Sequence, residues 1–131
     1  MTGIVIEVKG DPIPLQRARA SRHGFYDPQY IAKKNYASEV KLQFSQTPLE
    51  HQLEVTFEFY FKTPKSWSKK KKALLINQPH TENKDLSNLI KFPEDALNGI
   101  LWLDDRYISK ISAFKKWAEE SKTIIKVEMD L

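Results

Sequence analysis

Apolar and polar positions alternate most regularly where Leu53, Val55, Phe57, Phe59 and Phe61 interleave with Glu54, Thr56, Glu58, Tyr60 and Lys62. A two-residue period predicts a strand with one buried face, and its aromatic and β-branched content predicts a central place in a sheet. Ile4, Ile6 and Val8 alternate with Val5, Glu7 and Lys9 in a shorter strand that ends at Gly10-Asp11-Pro12. Towards the C-terminus, residues 107–116 and 122–129 predict two further strands, joined by a turn at Glu119-Glu120-Ser121 into an antiparallel hairpin.

Between these stretches the spacing changes to three and four. Asp27-Pro28 predicts a helix start, with Asp as cap and Pro in the first turn. Tyr30, Ala37, Val40 and Phe44 then share a face as far as about residue 45, and Lys33, Lys34 and Lys41 face solvent. Ser66 or Ser68 caps a short helix over 69–76. Leu86, Leu89, Ile90, Pro93, Leu97 and Ile100 mark a third helix, with Ser87 or Asn88 as cap and Gly99 as a left-handed stop. Pro93 removes a backbone donor and predicts a kink or a split. Residues 10–27 read as a loop. The order β-α-β-(short α)-α-β-β predicts an α/β (α+β two-layer) domain, a mixed sheet of three to four strands with helices on one face.

Composition narrows the class only modestly. A chain of 131 residues with 40% hydrophobic and 29% charged side chains fits one soluble globular domain. The net charge of +4 is compatible with solubility alone or with a nucleic-acid partner. The chain has no cysteine, which excludes a disulfide framework and a thiolate metal site and accords with a cytoplasmic location. The opening residues form neither a signal peptide nor a membrane span, so no membrane partner is expected.

The acids around the third helix carry the chemistry. Asp85 precedes it, and Asp104 and Asp105 follow it. A helix of about twelve residues is roughly 18 Å long, so the two groups meet only if the chain after Gly99 folds back. Two carboxylates about 4 Å apart repel by roughly 4 kcal/mol at an effective dielectric near 20, which calls for a cation. Lys91 is one candidate; a hard ion, Mg²⁺ or Mn²⁺, is the other, given oxygen donors and no cysteine. Asp95, four residues after Lys91, is expected to pair with that lysine. Asn88 braces the turn, and His80 is expected as a polar loop residue supporting the site. Upstream, Arg17 and Arg19 lie in the loop, and Lys69, Lys70, Lys71, Lys72 and Lys84 lead towards the acids. A run of four lysines faces water, phosphate or both.

The blocks Lys84-Asp85-Leu86-Ser87-Asn88-Leu89-Ile90-Lys91, Asp95-Ala96-Leu97-Asn98-Gly99 and Trp102-Leu103-Asp104-Asp105 resemble, in order and register, the RusA family of Holliday-junction resolvases found on phages and prophages. The resemblance implies a metal-dependent endonuclease resolving four-way junction DNA by paired, symmetric phosphodiester hydrolysis in recombination and repair. It maps the catalytic acids onto Asp85 and Asp105 and the catalytic lysine onto Lys91. Asp85 and Asp105, with Asp104 and Ser87, would face Mg²⁺ (or Mn²⁺ in its place), and Arg17, Arg19 and the lysines above would meet DNA. Two opposed nicks imply a homodimer. The chain departs from the family pattern at Lys84, where proline is usual, and at Ser87, where a second aspartate is usual. A hydroxyl is a poorer ligand than a carboxylate for a hard cation, so the alternative is a branched-DNA-binding protein with weak or no cleavage. A metal-dependent nuclease acting on flaps, forks or RNA is a further alternative. Phe25, Tyr26, Trp67 and Trp117 are the aromatics from which a wedge into a junction would come, with nothing in the sequence to choose among them.

Overall fold

A computed structural model describes residues 2–129. Its main sheet contains β1 (Thr2–Lys9), β4 (Leu53–Lys62), β5 (Ile108–Ala118) and β6 (Lys122–Met129), in the order β1-β6-β4-β5. β6 pairs antiparallel with β1 and β4, whereas β4 and β5 run parallel. The helices are α1 (Tyr30–Gln43), α2 (Lys69–Leu75) and α3 (Leu86–Ala96). The expected mixed sheet with helices is present. No described helix is long and apolar enough to cross a membrane.

The alternation in β4 is what centres the core: Leu53, Val55, Phe57, Phe59 and Phe61 are all buried. They pack with Ile125 and Val127 of β6, Val40 of α1 and Leu89 and Phe92 of α3. Each such side chain contributes roughly 1.5–3 kcal/mol on burial.

Four expectations change. The two C-terminal strands do not form a hairpin, because β4 lies between them. Residues 119–121 cross the end of β4, where the Lys62 N–H donates to Ser121 Oγ (2.9 Å) and the Thr63 N–H to the Ala118 carbonyl (3.1 Å). Three residues reach about 10 Å, enough to step across one strand. Second, α1 begins at Tyr30, past the Pro28-Gln29 turn, although an Asp27 carboxylate oxygen still accepts from the Gln29 N–H (2.8 Å). Its buried face is therefore Tyr36, Val40 and Phe44, and Tyr30 is exposed. Third, the stretch read as a loop holds a ribbon, β2 (Arg19–Ser21) paired with β3 (Gly24–Tyr26). Fourth, α3 runs unbroken through Pro93, whose ring is buried; packing of its apolar face outweighs the lost donor.

Candidate active site

Asp85 reaches the start of α3 on a segment held by the sheet. Along the outer edge of β5, the Asn77 N–H donates to the Trp117 carbonyl (2.9 Å), Trp117 N–H to Gln78 (3.0 Å) and His80 N–H to Lys115 (3.0 Å). The Lys115 ammonium then donates to the carbonyls of Glu82 and Lys84. Asp85 is the N-cap of α3, displacing Ser87 and Asn88 from that expected role. Its carboxylate makes no capping hydrogen bond, so capping of α3 does not occupy its oxygens. Ser87 is exposed on the first turn, and Lys84 is exposed just before it.

His80 lies in the connection between α2 and α3, as expected, but it is buried rather than solvated. It is 6% exposed, with its ring 4.2 Å from Phe61 and 4.4 Å from Trp117, and its Nδ1 has no hydrogen-bond partner. Burial and then the nearby Lys115 ammonium push its pKa below the ordinary imidazole value. The sheet-edge hydrogen bonds, invisible in a linear sequence, carry it into the aromatic layer.

At the other end of α3 the chain turns back. Gly99 takes the left-handed conformation (φ 79°) and its N–H donates to the Trp102 carbonyl (2.8 Å). Trp102 is fully buried, and its indole N–H donates to the Glu94 carbonyl (3.3 Å). This fastens the Trp102–Asp105 block to the helix. Asp104 caps the short 3₁₀ turn Asp105–Tyr107 by accepting from the Arg106 N–H (2.9 Å), and β5 follows at once. Asp105 thus sits beside a sheet strand rather than in a free loop.

Folding back brings Asp105 into the electrostatic neighbourhood of Glu94 and Lys91. Burial, then the charge of Asp105, raises the Glu94 pKa, and Lys91 opposes the rise. Glu94 carries no motif signal; its position one turn beyond Lys91 is the one sequence cue that could have found it. The expected Lys91–Asp95 pair is absent among the described ion pairs. Asp95 instead meets Lys33 of α1 at 2.5 Å, and Lys33 also holds Asp27 at 2.6 Å. Lys33, expected on a solvated face, is only 16% exposed. Burial works against its charge, but the two carboxylates outweigh it and raise its pKa.

Among the described residues, no three His, Cys, Asp or Glu side chains gather to hold a metal ion. Mg²⁺ commonly takes only one or two carboxylates, with waters and substrate phosphates completing its shell. Glu94 and Asp105 influence one another electrostatically, and all the acids offered are hard oxygen donors. That chemistry fits a divalent cation shared with substrate, not a closed protein cage.

The basic segment is docked onto α3. The Leu15 N–H donates to the Asn88 carbonyl (2.9 Å), so Asn88 braces the arm through its backbone. The buried Gln29 amide accepts from the Gln16 N–H and donates to the Pro14 carbonyl, both at 2.8 Å. Arg17 then lines a cleft of about 350 Å³ together with Lys33 and Asp95, and Arg19 opens the exposed ribbon. Farther off, Ser68 caps α2 by accepting from the Lys71 N–H (3.1 Å), where Lys69, Lys70 and Lys71 are exposed and Lys72 is half-buried.

No curated protein matches the chain significantly. The family model for the endodeoxyribonuclease RusA matches residues 9–128. That span takes in the docked arm, α3 and the turn carrying Asp104 and Asp105, and the chain belongs to the RusA family of Holliday-junction-resolving endonucleases.

Proposed function

We propose that this protein is a divalent-metal-dependent endonuclease that resolves four-way junctions in DNA recombination and repair, acting as a homodimer with one nick per subunit. The observation that supports this reading is the return of the chain after Gly99, fastened to the motif helix by the Trp102 indole bond to Glu94, which carries the Asp104-Asp105 block back towards Glu94. Asp85 and Asp105 would hold Mg²⁺ or Mn²⁺. When bound, the ion activates water and offsets charge developing at phosphorus. The protein's own part is positional and electrostatic. The Asp85 carboxylate and the sheet-backed Asp105 supply anionic oxygens from rigid elements. Lys91 sits near the scissile phosphate and stabilises its added negative charge. Arg17, Arg19 and the exposed lysines bind flanking phosphates, so affinity depends steeply on salt.

A fixed synthetic junction incubated with Mg²⁺ tests the reading. Paired nicks in the parent chain, with at least about 100-fold loss in Asp85→Asn and Asp105→Asn, are expected from removal of charged groups acting only in the transition state. Equal nicking by all three would exclude the assignment. The absence of a three-acid cluster, together with Ser87, favours one second reading, a junction-binding protein that cleaves poorly. Ser87→Asp separates the two: a large gain in nicking marks the parent site as crippled, whereas an already active parent shows that Ser87 suffices.

A further inference from the structure

The exposed aromatic rings of this protein are gathered in one place. Among the described residues, the Phe, Tyr and Trp side chains that are largely exposed are Phe25 (81%), Tyr26 (49%) and Tyr30 (64%), all at or just after β3. Trp117 is buried, and Trp67 packs against it with ring centroids 4.7 Å apart while Lys71 covers Trp67. Phe25 lies opposite Ala20 in the ribbon, and Tyr26 lies opposite Arg19. Cross-strand neighbours share a face, so a methyl group is all that the Phe25 ring meets there.

The surroundings of that ring are cationic. Residues 14–26 include Arg17, Arg19, Arg22 and His23 and no acid. Arg19 pairs with Tyr26 and so lies on the other face of the ribbon. Even so, an exposed apolar ring on a segment with three arginines and no acid suits a nucleic acid, whose bases offer π-faces and whose backbone offers phosphate. It suits an apolar protein partner poorly. The segment that carries the ring is anchored on both sides of it. The arm is tied to α3 by Leu15 and Asn88, to α1 by the Gln29 amide, and Asp27, just after β3, is held by Lys33.

We propose that Phe25 stacks on a base exposed at the branch point, with Arg17, Arg19 and Arg22 on the adjoining phosphates, so that the ribbon distinguishes a junction from linear duplex. The proposal rests on the junction-binding reading above. In uninterrupted duplex the base faces are already stacked on one another, and the ring gains nothing. At a branch point the terminal pairs of each arm have a face to offer.

The test measures binding, without metal, of a fixed four-way junction and of a linear duplex of the same sequence, each carrying 2-aminopurine at the branch position. Phe25→Ala is expected to weaken junction binding by about 5- to 100-fold, the range for one lost base stack, while duplex affinity stays within about twofold. The fluorescence change that the parent chain produces at the branch should disappear, and Phe25→Trp should restore both readouts. Unchanged junction affinity in Phe25→Ala, equal losses on junction and duplex, or a changed oligomeric state without a binding change would each overturn the proposal. If the parent chain itself fails to prefer the junction, the functional reading fails as well. If the parent prefers it and Phe25→Ala prefers it equally, only the role of Phe25 fails.

Discussion

The His80 imidazole lies between Phe61 and Trp117 with Nδ1 unpaired, so a proton there would place a charge in an aromatic layer. Its pKa is depressed in the folded chain, and the unfolded chain takes up a proton at the higher, ordinary value. Stability is therefore lost as pH falls below about 6.5. Melting temperature should begin to drop there in the parent, whereas in His80→Phe the drop should wait for the carboxylate range; identical curves would refute the account. Glu94 is the second residue that linear reading missed. If it and Asp105 share a cation, Glu94→Gln should reduce the Mg²⁺-induced rise in melting temperature by at least half, a loss the neutral isostere produces by removing one anionic oxygen donor. Asp85, Lys91 and Asp105 stand out in the sequence because motif blocks spell them in order. Glu94 and His80 do not, because their neighbours come from chain reversal and from a sheet edge.

Among the elements, strong periodicity and the serine-capped start of α2 were read correctly, and the three-residue strands were not. β4 announces itself by alternation and α3 by its apolar stripe. β2 and β3 are too short for any period to register, and Ala20 and Gly24 further blur it. The C-terminal pair misled because adjacency in sequence favours a hairpin, while β6 finds two partners by stepping across β4. What locks the ribbon and arm to the helices is Lys33 between Asp27 and Asp95. Replacing it by Met should cost on the order of 1 kcal/mol, since both carboxylates are partly exposed and screened. The Lys33 hydrogen bond, then the Gln29 N–H, lowers the Asp27 pKa from 3.8, so that contribution fades as pH falls below 3.8. The Lys33 pKa is raised from 10.5, so it also fades as pH rises above 10.5. Denaturant unfolding of parent and Lys33→Met should thus differ most between those limits and converge in acid. Faster amide exchange at Gln16 and Arg17 should accompany the substitution. A constant difference across pH would assign the loss to packing instead.

At the scale of the whole molecule, both edges of the main sheet are engaged. On β1, the Gln43 amide bonds both backbone groups of Glu7, accepting at 2.9 Å and donating at 2.6 Å. On β5, residues 77–80 supply the hydrogen bonds. Neither closure was legible, since Glu7 and Gln43 stand 36 residues apart in sequence. These bonds cover Glu7 on β1 and Lys115 and Trp117 on β5 and disfavour strand addition by a second copy at those points. The proposed chemistry requires such a copy, because one site makes one nick and resolution needs two of opposite placement. A supercoiled plasmid that extrudes a cruciform exposes the requirement: one nick relaxes it and destroys the junction, so linear product demands both cuts within one bound complex. Parent chain mixed with equal Asp105→Asn, after subunit exchange, should leave roughly a quarter of random pairs with two working sites. Linear product should fall to about that fraction while nicked circles rise, because half-active pairs cut once. Independent monomers would give nicked circles and no linear product even from the parent chain alone, and that pattern would remove the paired-subunit reading while leaving the single-site chemistry intact.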